Sequence, residues 1–359
     1  MVGKRNIAAA AALTMAIALA QAQAQAADGV SIAIKPERAT LGKSDEVAVT
    51  VTMTNTSAAI VYLPAWQTPF GAMEAPLFDI TRDGQPVRYL GRMVKRAAPT
   101  AADYIALAPG ASRSVRIELS ALYQMGVTGA YSIRYRDAAL QLFARPGALP
   151  AAARGFAEAA APAATVWIDG RLARGMADPA PAPAPEGGPG LSFSQCSNPQ
   201  QQTITGAAQA AQAMAADGDT YMKQPAQGPR YGTWFGVADA TRTATVARHF
   251  TAIKEAFASK PVTVDCGCNE DYYAYVYPNQ PYKIYVCNAF WSAPLTGTDS
   301  KGGTLVHEMS HFTVVAGTDD WAYGQEAAAA LATGNPARAI DNADSHEYFG
   351  ENTPQQNVR

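Results

Sequence analysis

The sequence predicts a multidomain protein in which an all-β, immunoglobulin-like sandwich precedes an α+β, mainly helical domain. Three observations lead to this prediction. Short runs that alternate with period two fill the first half, a proline-rich segment follows them, and longer runs with helical periodicity fill the second half. The chain has 359 residues, which is enough for two domains of ordinary size.

The first 27 residues are predicted to be a secretory signal peptide. Lys4 and Arg5 precede the apolar run IAAAAALTMAIALA, and the small residues of QAQAQAADG follow it, so that cleavage is expected after Ala24, Ala26 or Ala27. A membrane anchor is the weaker interpretation, because the apolar run is short and no second hydrophobic span follows it. We therefore expect a secreted chain with no membrane segment after the signal is removed.

Residues 28–170 have the pattern of an antiparallel β-sandwich. Apolar and polar residues alternate within VSIAIKP, EVAVTVTMTNTS, PLFDITRDGQPV, SRSVRIELS and GAYSIRYRD, and turn formers such as DG, NT and PG separate these runs. Strands at this spacing are typical of immunoglobulin-like domains. The region contains no cluster of candidate catalytic residues.

Residues 171–190 are predicted to be a linker. The stretch GMADPAPAPAPEGGPG alternates proline with alanine, which favours an extended, solvated spacer over a helix or a paired strand. Such a segment marks a domain boundary and is accessible to proteases.

Residues 191–359 are predicted to form the α+β domain. Helical periodicity is present in ITGAAQAAQAMAADGDTYMK and ATRTATVARHFTAIKEAFASK, and further helices are predicted at Thr304–Val315 and Gln325–Thr333, the second closed by Gly334. Between them, DYYAYVYPNQPYKIYVC has the composition of a β-hairpin around a Pro-Asn turn.

Charge and cysteine content restrict the function further. The net charge is −2, so the chain has no basic excess that would indicate nucleic-acid binding. All four cysteines lie in the second half, and an even number in an exported chain indicates two disulfides. Cys266 and Cys268 flank a single glycine and are poorly placed to bond each other, which leaves two of the three connectivities open.

His307, Glu308 and His311 form an HExxH motif within the predicted helix Thr304–Val315. Positions i and i+4 lie on one face of a helix, so the two imidazoles can bind one ion with the glutamate beside them. This is the pattern of a catalytic zinc site, in which zinc lowers the pKa of a water and the glutamate acts as general base.

A catalytic zinc site also needs a third protein ligand and an open fourth position. The remaining candidates in the sequence are His249, His346, Glu326, Asp319 and Asp320. Gly317 and Thr318 favour an aspartate in a turn, because glycine permits a tight reversal after the helix. This argument leaves the choice between Asp319 and Asp320 open.

The longer stretch HEMSHFTVVAGTDDWAYG resembles the aspzincin signature of the deuterolysin family, HExxH followed by GTxDxxYG. The resemblance implies a zincin fold, one Zn²⁺ per chain and peptide-bond hydrolysis with Glu308 as general base. It implies that Asp320 is the third zinc ligand with His307 and His311, and that Asp319 is the variable position. It also implies that Tyr323 stabilises the tetrahedral transition state.

Four further motifs, TWFGV, YAYVYPN, NAFWSAPLTGTDS and NADSHEYFGEN, resemble the peptidyl-Lys metalloendopeptidase branch of that family. The resemblance covers the chain from about Ser192 onward and implies cleavage of protein and peptide substrates before a P1′ lysine, whose ammonium Asp344 and Glu347 hold in the S1′ pocket. Two carboxylates three positions apart can converge on one cation, although a solvated acidic face or a helix cap would use them equally well. The branch also implies two disulfides, Cys196–Cys266 and Cys268–Cys287.

Together these expectations describe a secreted zymogen whose pro-domain acts as an intramolecular inhibitor. The stretch GRMVKRAAP could insert Lys95 into the S1′ pocket, or it could form a solvated surface loop, which is the more common fate of such residues. No lysine occurs between Gly170 and Gln200, so cleavage of the linker requires another protease or tolerance of arginine at Arg171 or Arg174.

Two alternatives remain at this point. The chain could be a zinc endopeptidase of broad specificity, like the deuterolysins proper, or a secreted binding or adhesion protein with a structural zinc site. Glu308 argues against the second alternative, because a structural site has no use for a base. Tyr273, Tyr275 and Tyr277 recur with period two and could form part of a substrate-binding face, although most of them are expected to pack. His249 is expected to be a helix-surface or core histidine, and His346 is expected to be a bystander.

Overall fold

The structure is a computed structural model that describes residues 29–136, 140, 142–143, 145–146, 162–180 and 189–356. The predicted signal peptide and residues 181–188 of the predicted linker lie outside the described residues. None of the helices in the described part of the chain combines the length and the hydropathy needed to span a bilayer.

The N-terminal half, up to residue 180, has strands as its main elements, with two short 3-10 helices at Ala65–Gln67 and Ala101–Asp103. The strands are β1 (Val30–Pro36), β2 (Thr40–Leu41), β3 (Ala48–Asn55), β4 (Val61–Pro64), β5 (Phe78–Arg82), β6 (Gln85–Pro86), β7 (Met93–Lys95), β8 (Tyr104–Leu107), β9 (Ser112–Glu118), β10 (Gly129–Tyr135) and β11 (Ala164–Ile168). Each of the five alternating runs of the sequence contains at least one of these strands, because every second side chain can be buried while its neighbours face water.

Two sheets of the N-terminal half share one hydrophobic core. One has the order β1-β3-β9 and the other the order β2-β11-β10-β5-β6, with β4 and β8 paired beside them. Val49, Val51 and Met53 of β3 point into this core together with Tyr131 and Ile133 of β10. The prediction of antiparallel pairing is wrong for β2, which pairs in parallel with β11.

The C-terminal half, from residue 189, combines a sheet with eight helices among the described residues. Its strands are β12 (Gly190–Ser194), β13 (Pro261–Asp265), β14 (Ala274–Val276) and β15 (Lys283–Val286). Its helices are α1 (Asn198–Met222), α2 (Pro229–Phe235), α3 (Ala240–Ser259), α4 (Asn288–Ser292), α5 (Lys301–His311), α6 (Gln325–Gly334), α7 (Pro336–Ala339) and α8 (Ala343–Glu351). The predicted hairpin is confirmed, because β14 pairs with β15 in antiparallel register.

The helix predicted at Thr304–Val315 has different ends in the structure. It begins at Lys301, because the Ser300 side chain caps it by accepting from the Gly303 backbone N–H, and it ends at His311. The apolar residues after His311 do not continue the helix, and Phe312 packs into the core instead.

The sheet of the C-terminal half contains one strand from the N-terminal half. Its order is β12-β13-β15-β14-β7, and β7 pairs antiparallel with the edge strand β14. Two disulfides tie the loops beside this sheet together, Cys196–Cys266 and Cys268–Cys287. This pairing confirms the one that the family resemblance implies.

Candidate active site

Helix α5 carries the two histidines of the HExxH motif on one face. Every residue of this helix is buried, so the imidazoles are held in a dry environment. His307 Nε2 and His311 Nε2 lie 3.1 Å apart. The Nδ1–H of His311 donates to the Thr318 carbonyl oxygen at 2.7 Å, which leaves its Nε2 lone pair available to a metal.

Asp320 reaches the same point from the turn after α5. Gly317, with a φ of 66°, allows the chain to reverse there. Asp320 Oδ1 lies 3.2 Å from His307 Nε2, and Oδ2 lies 3.4 Å from His311 Nε2. Burial alone would raise the pKa of Asp320, but the neighbouring histidines outweigh it and hold that pKa well below its usual range.

The other carboxylate candidates for the third ligand lie elsewhere. Asp319 pairs with Arg136 of the N-terminal half at 2.7 Å, and Glu326 is exposed to solvent. Of the two aspartates in the turn after Gly317, therefore, Asp320 lies beside the histidines and Asp319 does not.

These residues fit a zinc ion. One ligand atom each from His307, His311 and Asp320 lies within 4.8 Å of the other two, and all three residues are buried. Both carboxylate oxygens of Asp320 lack a hydrogen-bond partner. Buried carboxylate oxygens without a partner are costly unless an ion compensates them, and two imidazoles with one carboxylate are an established donor set for catalytic zinc.

Glu308 and Tyr323 flank the candidate zinc ligands. Glu308 is fully buried and its oxygens have no hydrogen-bond partner. Burial raises the pKa of Glu308 to about 7, against the opposing effect of the histidines. The Tyr323 hydroxyl donates to the carbonyl oxygen of Val94 at 2.9 Å.

Three carboxylates form what we call the lysine pocket: Asp299, Asp344 and Glu347. The ammonium of Lys95 from β7 lies inside it, 2.6 Å from Glu347 Oε2, 3.2 Å from Asp344 Oδ1 and 3.4 Å from Asp299 Oδ1. An ammonium has three N–H donors, so the pocket offers one carboxylate for each. The Lys95 side chain is completely buried, which excludes the solvated surface loop.

Comparisons with known proteins agree with this geometry. The family model described as lysine-specific metallo-endopeptidase, of the aspzincin type, matches residues 220–351. An extracellular protease of Aeromonas hydrophila is 47% identical over 319 residues, which are 88% of this chain and 91% of that protein. A peptidyl-Lys metalloendopeptidase of Grifola frondosa is 38% identical over 91% of this chain and 94% of its own length. The chain belongs to the aspzincin family.

A solved structure is also similar to this aspzincin. It is a zinc peptidase from Grifola frondosa, 49% identical, covering 45% of this chain and 99% of its own, with a TM-score of 0.43. Family membership makes the chain a zinc metalloendopeptidase, and the alternative of a binding protein with a structural zinc site is wrong.

Sequence reasoning missed Asp299 in the lysine pocket of this aspzincin. The residue lies in the motif NAFWSAPLTGTDS, which resembles the lysine-directed branch. An acidic residue within that motif could have been named as a candidate for binding lysine. The Tyr348 hydroxyl donates to Asp299 Oδ1 at 2.7 Å. Glu351 Oε2 accepts from the Asp299 backbone N–H at 3.2 Å and thereby fixes the loop before α5.

Sequence reasoning also missed a second group of charged and polar residues beside β7. We call it the Glu74 cluster: Glu74, Arg92, Arg96 and Tyr272. Glu74 Oε1 contacts Arg92 Nη2 at 2.6 Å and accepts from the Tyr272 hydroxyl at 2.7 Å, while Oε2 pairs with Arg96. Burial would raise the pKa of Glu74, but Arg96 and its other partners hold it below the usual range. Tyr272 is the only member from the C-terminal half.

Of the remaining candidates, His346 is buried, whereas His249 and the three tyrosines, Tyr273, Tyr275 and Tyr277, are half-buried. His249 Nδ1 and His346 Nε2 lie 3.0 Å apart, and burial lowers the pKa of His249 to about 4 and that of His346 to about 3, so both stay neutral at pH 7. Tyr275 stacks on Tyr285 with 4.5 Å between ring centroids. Tyr273 differs, because its ring centroid lies 5.5 Å from the Lys95 ammonium.

Proposed function

We propose that this aspzincin hydrolyses peptide bonds on the N-terminal side of lysine, that it is secreted, and that it is made as a zymogen. One observation carries the proposal. The Val94–Lys95 peptide bond lies across the site as a substrate bond would, with the Lys95 ammonium in the lysine pocket and the Val94 carbonyl oxygen at the Tyr323 hydroxyl. The segment also pairs with an edge strand, which is a common way to hold an extended peptide.

In this proposal His307, His311 and Asp320 hold one zinc ion per chain. Zinc bound there supplies Lewis-acid polarisation of a carbonyl and a water of lowered pKa. The hydrogen bond from His311 Nδ1 to Thr318 keeps that ring in the tautomer that binds a metal through Nε2.

Glu308 acts as the proton carrier. It takes a proton from the attacking water and delivers it to the nitrogen of the leaving amine, so that the peptide C–N bond breaks. The second proton of the water passes from the new carboxyl group to the amine, and a carboxylate and an ammonium group result. Tyr323 donates a hydrogen bond to the carbonyl oxygen as its negative charge develops.

The lysine pocket determines the residue on the C-terminal side of the cut. Asp344 and Glu347 provide the buried charge that a lysine ammonium needs when its stem leaves water. The names of the fungal relatives, which are peptidyl-Lys metalloendopeptidases, support this specificity. The broad-specificity alternative would use the same zinc ligands without a requirement for lysine.

The proposal also assigns a role to each part of the chain. Residues 1–27 would be the signal peptide, 28–170 an immunoglobulin-like pro-domain, 171–190 the linker and 191–359 the catalytic domain. The pro-domain would inhibit because Lys95 occupies the pocket that a substrate lysine needs. The extracellular protease among the relatives supports secretion.

Mass-spectrometric mapping of the peptides released from a casein-like protein tests the specificity. We expect new N-termini at lysine, and we expect their release to stop when a chelator removes the metal. New N-termini at many residue types would favour the broad-specificity alternative, and release that persists with a chelator would contradict a zinc mechanism.

A further inference from the structure

Asp344 has more partners than a residue that only recognises lysine requires. Its Oδ1 lies 2.9 Å from His307 Nδ1 and 3.2 Å from the Lys95 ammonium. Its Oδ2 accepts from the Gly324 backbone N–H at 2.6 Å. The side chain is completely buried, so these contacts form away from solvent.

His307 needs such a partner if it is to bind zinc. An imidazole that binds a metal through Nε2 carries its hydrogen on Nδ1, and that N–H requires an acceptor when it is buried. In this structure Nδ1 of His307 has no aligned hydrogen bond, and Asp344 Oδ1 is the nearest carboxylate oxygen, ahead of Glu347 Oε2 at 3.4 Å. His311 differs, because its Nδ1–H donates to the neutral carbonyl of Thr318.

We propose that Asp344 is a positioning residue of the zinc site as well as an acceptor for the substrate lysine, and that its Oδ1 serves both groups. A negative charge at Nδ1 orients the His307 ring and makes its Nε2 a stronger donor to zinc. The bond from Gly324 links the same carboxylate to the loop that carries Asp320 and Tyr323. The same oxygen atom, Asp344 Oδ1, therefore contacts both the lysine ammonium and the zinc ligand His307.

Glu347 provides the matched comparison. It makes the shortest contact with the Lys95 ammonium, 2.6 Å, but the longer one with His307 Nδ1. We expect Glu347 to affect mainly the binding of lysine, whereas Asp344 affects the binding of lysine and the metal together. This division rests on the proposed function, its zinc part on the proposed zinc ligands and its lysine part on the proposed specificity.

The test measures zinc affinity in the full chain with Glu308→Gln, which prevents self-cleavage. Competition with a chromophoric chelator should show zinc binding weakened about 10- to 100-fold by Asp344→Asn, the usual effect of losing a carboxylate behind a ligating histidine. Glu347→Gln should stay near the parent affinity, and only Asp344→Asn should change the d–d absorption of the cobalt-substituted protein. Equal zinc affinity in the two variants would overturn the proposal.

Two further measurements keep the proposal testable if Asp344→Asn does not fold. Lys95→Met in the same full chain removes the ammonium from Oδ1 and should tighten zinc binding, and an unchanged affinity would contradict a shared oxygen. In enzyme freed from its N-terminal half, Asp344→Asn should lower kcat and raise KM for a lysyl peptide, whereas Glu347→Gln should change KM alone. Absence of lysine preference in the parent would refute the proposed specificity, and the zinc comparison would still stand.

Discussion

The lysine pocket and the Glu74 cluster hold the same short segment with opposite arrangements of charge. In the pocket, one ammonium is surrounded by three carboxylates, all from the C-terminal half. In the cluster, one carboxylate from the N-terminal half is surrounded by two guanidinium groups and a tyrosine hydroxyl. In the proposed function a lysine of any substrate peptide would use the pocket, whereas the segment around β7 also has Glu74 beside it. The pocket would then account for specificity, and the cluster would account for the retention of this one segment.

The first prediction tests the catalytic step separately from the lysine pocket and the Glu74 cluster. Glu308→Gln leaves the pocket and the cluster intact and removes the proton carrier, so the variant should retain zinc and lose about 10²- to 10⁴-fold in rate. Zinc content and hydrolysis of a lysyl peptide after linker cleavage measure the two effects. Turnover close to that of the parent enzyme would remove Glu308 from the mechanism.

The second prediction compares neighbouring aspartates on the catalytic side. Asp320→Ala should reduce zinc content and activity together, because it removes the carboxylate that faces both histidines. Asp319→Ala should leave both nearly unchanged, because its partner is Arg136 of the N-terminal half. The reverse result would mean that the zinc ligand is assigned one residue too late.

The third prediction measures the contribution of the pocket to inhibition. In the uncut chain, Lys95→Ala should weaken the binding of the segment around β7 to the C-terminal half by about 2 to 5 kcal/mol. This is the usual cost of truncating one partner of a buried charge pair. The uncut variant should then hydrolyse a lysyl peptide that the uncut parent does not. Equal, negligible rates for both would leave steric cover as the basis of inhibition.

The convergence of the three proposed zinc ligands could be predicted from the sequence because their geometry is mostly local. Two histidines four positions apart share a helix face whatever the rest of the chain does, and a glycine marks the turn that returns Asp320. The choice of Asp320 over Asp319 needed the family signature, because neighbouring residues in a turn differ only in direction. The alternating strands of the N-terminal half were predictable for a similar reason, since their pattern has period two.

The lysine pocket and the Glu74 cluster could be predicted only in part. β7 is three residues long and pairs with β14 at Val94 and Tyr275, far apart in sequence, so no local periodicity indicates the pairing. Lys95 could be named as a candidate, but its burial depends on that pairing. Glu74 lies in a loop between strands, where no pattern indicates a partner.

The fourth prediction concerns the Glu74 cluster. Glu74→Ala should weaken the hold on the segment by less than Lys95→Ala does, by about 1.5 to 3 kcal/mol for a lost hydrogen bond to a charged group. It should also convert the Val94–Lys95 bond into a cleavage site. Glu74 pairs with Arg92 before this bond and with Arg96 after it, so without Glu74 the two ends formed by cleavage would no longer be held together and could separate. Mass spectrometry of the zinc-loaded, uncut chain detects the new N-terminus at Lys95.

An exposed group of ion pairs supplies the matched control for this last prediction. Arg116 contacts Glu37 and Glu46 on the surface of the N-terminal half, with half of its side chain exposed, whereas Glu74 is only 6% exposed. Water and salt screen such surface pairs, so Arg116→Ala should leave stability nearly unchanged and the Val94–Lys95 bond intact. If both variants are cut at Lys95 equally fast, general loosening of the N-terminal half explains the cleavage. If neither is cut, the pocket alone retains the segment, and the division of roles between pocket and cluster is wrong.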